Sequence, residues 1–184
     1  MLIFAIFSLG VAFFGIIGAP GASFGLCIII FACAMYVFES VAEALSVWFE
    51  DPILGMLQCM NFWFGAFLFG GFLISQDDLY WPFELFYYIM PYQYHLRSFV
   101  YNYFSEISWE ACDPVLNPQQ AVCVNSTNAD DIIDAFGRIY PLISSDDQTG
   151  FDIVILIIIG TVFKLMFIAG VLMKTSATSK FHAA

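Results

Sequence analysis

The stretch GGFLISQDDLYWPFELFYYIMPYQYHLRSFVYNYF, Gly70 to Phe104, decides the fold. It is too apolar and aromatic for a surface loop. It also carries Asp77, Asp78, Pro82 and Pro91, which a plain membrane span does not tolerate. Irregular backbone at membrane depth survives only where protein or water satisfies its polar groups. A re-entrant helical hairpin meets that condition. Asp77 and Asp78 mark the exit of the preceding span, Pro82 starts a short descending helix, and Pro91 lies where the chain bends back. Tyr80, Trp81, Tyr87, Tyr88, Tyr92, Tyr94, Tyr101 and Tyr103 supply rings that favour the membrane interface. Arg97 and His95 need partners, for which Glu84, Glu106 or the aspartates are candidates. The alternative is an ordinary kinked span, which reverses the orientation of everything after it.

The rest of the chain agrees with a membrane setting. Its 184 residues are 61% hydrophobic and 11% charged, with mean hydropathy +0.83. A soluble domain carries about a quarter charged residues. Spanning helices need about 20 apolar residues, and four runs approach that length: 1–17, 23–47, 53–75 and 151–173. GAPGA, Gly18 to Ala22, and WFEDP, Trp48 to Pro52, punctuate them. Residues 76–104 are the hairpin, 105–149 a large polar loop and 174–184 a short tail. The fold class expected is therefore an all-α membrane protein. It has about four transmembrane helices, a re-entrant hairpin and one large extracellular loop. The first run lacks the basic opening of a signal peptide. It reads as a span of what is expected to be the tail end of a longer polypeptide.

Charge and loop chemistry set the orientation. Lys174 and Lys180 follow the last span, which places the C-terminus in the cytosol. Asn125-Ser126-Thr127 is a glycosylation sequon, used only on the lumenal side. Cys112 and Cys123 lie in the same loop and form a candidate disulfide. Cys27, Cys33 and Cys59 sit in apolar runs, where cysteine serves as a small apolar side chain. Net charge is −11, so a basic nucleic-acid footprint is absent. Nothing gives a metal-ligand set, and His182 in the tail reads as solvated.

Ionisable groups inside spans are costly and usually paired. Glu39 lies eight residues from the cytosolic end of its span and Lys164 nine from the end of its own. Similar depth predicts a Glu39–Lys164 ion pair. The alternative is a protonated Glu39 with a snorkelling Lys164. Glu43 stands one turn from Glu39. Small residues at Ala42 and Ser46, and at Ala66 and Gly70, favour close helix contact.

The segment order carries a resemblance. FES, Phe38 to Ser40, precedes a short turn. A span ending LFGGFLI, Leu68 to Ile74, then leads into YYIMPYQY and VYNYF. A cysteine-bearing outer loop and a final span with a mid-helix base follow. This order resembles the C-terminal half of the transmembrane domain of ABC transporters of subfamily G, most closely the pleiotropic-drug-resistance branch. The resemblance covers nearly the whole chain. Gly70-Gly71-Phe72, Pro91 to Tyr94 and Asn102 to Phe104 correspond to its short motifs. Gly70 stands where the family has a small polar residue, and Arg97 where it often has an acid.

The resemblance implies the membrane part of an ATP-driven exporter of lipids or lipophilic xenobiotics, placed in the plasma membrane. Its partners are membrane lipids, a lipophilic small molecule, a nucleotide-binding domain and a second transmembrane half. It implies a substrate cavity bordered by Asn61, Phe64, Phe67, Leu68, Phe72 and Leu73. No GxxxxGK[ST] loop occurs, so the chain is expected to hold no cofactor and not to be an enzyme. ATP and Mg belong to the nucleotide-binding domains of the full transporter. The competing reading is a four-span scaffold with a disulfide-bonded outer loop, although the tetraspanin Cys-Cys-Gly triplet and the claudin Trp…Cys…Cys pattern are missing. Membrane-embedded catalysis is poorly served, because His95 is the only histidine outside the tail.

Overall fold

The computed structural model describes residues 2–12, 23–71, 73–74, 79–105, 128–143 and 146–182. Among these residues the chain is all helical. The elements are α1 (Leu2–Gly10), α2 (Phe24–Trp48), α3 (Pro52–Leu68), α4 (Phe83–Ile89), α5 (Pro91–Phe104), α6 (Ala129–Ile139) and α7 (Thr149–His182). Cys112, Cys123 and Asn125 lie outside the described residues, as do Phe72, Asp77 and Asp78.

Two helices, α2 and α7, are long and apolar enough to cross a bilayer. Both leave most of their apolar surface uncovered. On α7, Phe151, Val154, Ile158, Val162, Leu165 and Leu172 are exposed. In water such a surface would drive association, whereas in hydrocarbon it needs no cover.

The bundle is organised by the pairing of α2 with α7. Tyr36 lies over Gly160, where an added Cβ would come within 2.4 Å of its ring. Further along, an added Cβ at Gly170 would meet Val47 at 2.7 Å. Residue numbers rise together along the two helices, so they run parallel. Between them lies a buried cluster of Val37, Val41 and Leu156 with Tyr94 from α5.

The turn into α3 forms as its sequence dictates. Asp51 caps the helix by accepting from the Ile53 backbone N–H at 2.9 Å, and Pro52 occupies the first turn. α3 then runs antiparallel to α2. Phe38 meets Phe62 edge-on at 6.3 Å and Trp63 at 5.0 Å, while Phe62 also meets Phe163. The expected run 53–75 is not one helix. α3 stops at Leu68 after 17 residues, about 25 Å of rise. The cause is the glycine pair. Gly71 has φ +80°, a left-handed conformation that side chains other than glycine rarely adopt. Gly70 lies against Tyr92, whose Cδ1 would be 2.6 Å from an added Cβ.

The chain breaks again at Met90, between α4 and α5. Met90 is extended (φ −73°, ψ 132°), as the residue before Pro91 must be. α5 packs beside the first part of α2 and the first turns of α7. His95 meets Phe31 at 5.9 Å, and Phe99 and Tyr103 lie over the buried Leu9–Cys27 contact between α1 and α2. α6, within what the sequence marked as a polar loop, is strongly amphipathic. It buries Ile132 and Ile133 and stacks Phe136 on Phe104 at 5.3 Å.

The Tyr36–Gly160 contact has a measurable consequence. Gly160→Ala should lower thermal stability in detergent by about 1–3 kcal/mol, because the added methyl overlaps the Tyr36 ring and forces it to shift. In a Tyr36→Leu background the same substitution should cost less than half as much. An equal cost in both backgrounds would remove this contact as the reason for the glycine.

Candidate functional site

Three places in the bundle carry chemistry that a plain apolar scaffold does not need. The first joins α5 to α7. Asp152, in the first turn of α7, has no exposed surface. Its Oδ2 accepts from Arg97 Nε at 3.0 Å and from the Ser98 hydroxyl at 2.5 Å, and its Oδ1 from Arg97 Nη2. The Arg97 guanidinium also lies 5.9 Å from the Tyr94 ring centroid. One turn further on, Asn102 donates to the Ser98 carbonyl at 2.8 Å and to the Thr149 hydroxyl at 2.6 Å. The Thr149 backbone N–H in turn donates to Asp147 at 3.0 Å.

Local sequence explains the placement. Arg97, Ser98 and Asn102 share one side of α5 at spacings of one and four residues. Asp152 sits where the positive end of the α7 dipole favours a carboxylate. A two-pronged arginine–carboxylate pair with added hydroxyl donors is the arrangement that offsets burial of charge. Arg97 thus takes its acid from α7; of the expected partners, Asp77, Asp78 and Glu106 lie outside the described residues. His95, on the neighbouring side of α5, is enclosed by Phe31, Tyr92 and Phe99. Its buried Nδ1 has no hydrogen-bond partner among the described residues.

The second place is the base on α7. Lys164 donates to Glu43, with both side chains about one-third exposed. The expected acceptor, Glu39, is one turn away and exposed. Counting residues from the helix ends fixes depth only to within about a turn, and Glu39 and Glu43 share one face. The contacts of Tyr36 with Gly160 and of Val47 with Gly170 set the axial register of α2 against α7, which levels Lys164 with the turn between the two glutamates, and its amine reaches Glu43.

The third place is the outer face of α3. Of the expected cavity residues, Asn61 and Leu73 are exposed and Phe64 is 69% exposed. Phe67 meets Tyr92 edge-on at 5.6 Å while keeping about a third of its surface free. Leu68 is half-buried. The inner face of the same helix holds Phe62 and the fully buried Ala66. The stripe therefore turns away from the chain's own core. Ala42 and Ser46, expected at a close helix contact, are exposed as well.

Sequence reading missed Asp152, Gly160 and α6. The carboxylate of FDIVIL was absorbed into an apolar run, although its place one turn after the capping Asp147 was a signal. Among the described residues no group of three or more His, Cys, Asp or Glu is placed to hold a metal ion. No family model, no curated protein and no solved structure matches the chain.

Two substitutions test these contacts. Asp152→Ala leaves the Arg97 charge without its partner and should cost about 3–5 kcal/mol in a detergent melt. Arg97→Gln added to Asp152→Asn should recover much of the loss. At the second place, Glu43→Lys and Lys164→Glu should each lower folded yield, with the double swap restoring it. Recovery of Lys164→Glu by Glu39→Lys instead would move the pair back to position 39.

Proposed function

We propose that this chain is the membrane-spanning part of an ATP-driven exporter of lipids or lipophilic compounds, of the subfamily G type, contributing half of the substrate cavity. The observation that carries the reading is the outward stripe of α3. Asn61 and Phe64 face away from this chain's core, Phe67 keeps about a third of its surface free beside Tyr92, and together they lie on one helical side and combine aromatic faces with one amide. Rings of that kind stack on flat apolar ligands, and a single polar group orients them. The other wall of the cavity comes from a second transmembrane half. Hydrolysis of ATP belongs to nucleotide-binding domains beyond this chain.

The proposed topology has four spans, with the hairpin and the large loop outside and the C-terminus in the cytosol at the plasma membrane. Parallel packing of α2 and α7 supports it. If α2 descends and α7 descends beside it, the chain between them makes one net crossing. α3 supplies that crossing, so α4 and α5 return to the side they entered from. A full crossing by α4 and α5 makes α7 antiparallel to α2. The contacts of α5 with Phe31, Cys27 and Thr149 hold it near the ends where α2 and α7 begin. The resemblance in segment order supports the same arrangement.

The test uses the native polypeptide in its own membranes. Phe64→Ala should reduce ATP-dependent efflux of a lipophilic dye about two- to tenfold at unchanged abundance, the loss expected from one stacking ring. Phe64→Cys should cross-link to a second transmembrane half, with a yield that changes on adding ATP and vanadate. A cysteine at 64 that reacts only with lipid-dissolved reagents, together with unaltered efflux in the alanine variant, ends the cavity reading.

A further inference from the structure

A groove of about 410 Å³ opens between α2 and α3 beside the turn that joins them. It lies along the surface of α2 that carries Ala42, Ser46 and Phe49, away from the Asn61–Phe64 stripe. Its lining is graded. Glu50 and Asp51 border it in the turn, Phe49 and Met56 follow, and Ala42 and Cys59 border it furthest from the turn along the two helices. Among the described residues neither Glu50 nor Asp51 meets a cation. Lys164 is committed to Glu43 and Arg97 to Asp152. Asp51 uses one oxygen to cap α3, so the backbone fixes its carboxylate at the turn.

We infer that this groove binds an amphiphilic monocation, an alkylammonium head with an apolar chain. The charge pattern selects the ligand class. Two carboxylates at the turn, that of Asp51 held by its cap bond, favour one positive head and repel an anionic one, and a unit charge beside them gains several-fold in occupancy even under solvent screening. The Phe49 ring adds a face for a quaternary ammonium. Met56 and Cys59 offer soft apolar contact to a chain lying along the helices. An apolar cleft with a few placed polar groups is the usual form of a small-molecule site. The site does not depend on the exporter reading, because it lies on a different face from the proposed cavity.

Cys59 provides the readout, since it is a free thiol bordering the groove furthest from the turn. The full chain in phosphatidylcholine nanodiscs is treated with N-ethylmaleimide, and alkylation of Cys59 is timed by peptide mass spectrometry. Decyltrimethylammonium should slow the reaction at least about fivefold, whereas decyl sulfate at the same concentration should not. Glu50→Gln combined with Asp51→Asn should abolish the difference. Asparagine keeps the helix cap, so folding is retained and is checked by the helical signal. Ala42→Phe, at an exposed position, should fill the groove and remove protection by the cation. Equal protection by both amphiphiles, protection that survives loss of both carboxylates, or a Cys59 that does not react in the ligand-free chain would each overturn the assignment.

Discussion

The structure depends on the close parallel approach of α2 and α7. Two apolar helices in hydrocarbon have no hydrophobic reason to associate, because lipid tails are as apolar as their side chains. Contact must come from shape and from polar groups that need partners. Gly160 supplies the shape by admitting the Tyr36 ring to the surface of α7. That fit fixes axial register as well as distance. Once it is set, Lys164 faces Glu43 and Leu156 enters the cluster with Val37 and Val41.

Of the remaining elements, α5 is hung on this pair by polar contacts at one end. Asp152 is fully buried at the start of α7, and its carboxylate would be very costly without donors. Arg97 and Ser98 supply them and thereby lock α5 in place. Asn102 and Thr149 extend the lock by another turn. With α5 held, Tyr92 packs on Gly70, and the left-handed Gly71 turns the chain out of α3. α3 is short for this reason, and its aromatic stripe is left looking away from the bundle. On the proposed reading that uncovered stripe is what a second transmembrane half and a lipophilic cargo meet.

Much of this was legible in the sequence where the signal is local. The expected run 23–47 and the observed helix 24–48 nearly coincide, because a long apolar stretch ends at a polar Pro-containing turn. Asp51-Pro52 reads as a helix start, and the break before Pro91 follows from proline sterics. The failures are non-local. The apolar composition runs on through Phe72 to Ile74 and outweighs the Gly70-Gly71 pair, the one local sign of the break; the packing of Tyr92 on Gly70 is not in the pattern. The choice of Glu43 over Glu39 depends on the axial register of α2 against α7, which counting from the helix ends fixes only to about a turn. The partner of Arg97 lies 55 residues away. α6 was missed for a different reason. Ile132, Ile133 and Phe136 mark an apolar side, but the acids around them made the whole loop look polar.

The central proposal is that α2 and α7, which pack in parallel, cross the membrane in the same direction, with α4 and α5 entering and leaving on one side. Single cysteines at Glu50, Thr175, Tyr80 and Ala129, in a chain whose native cysteines are replaced, test it directly. Labelling uses a membrane-impermeant thiol reagent on intact cells and then on permeabilised ones. The account predicts that positions 50 and 175 label only after permeabilisation, and that 80 and 129 label from outside. Positions 50 and 175 reacting from opposite faces of the membrane would contradict it.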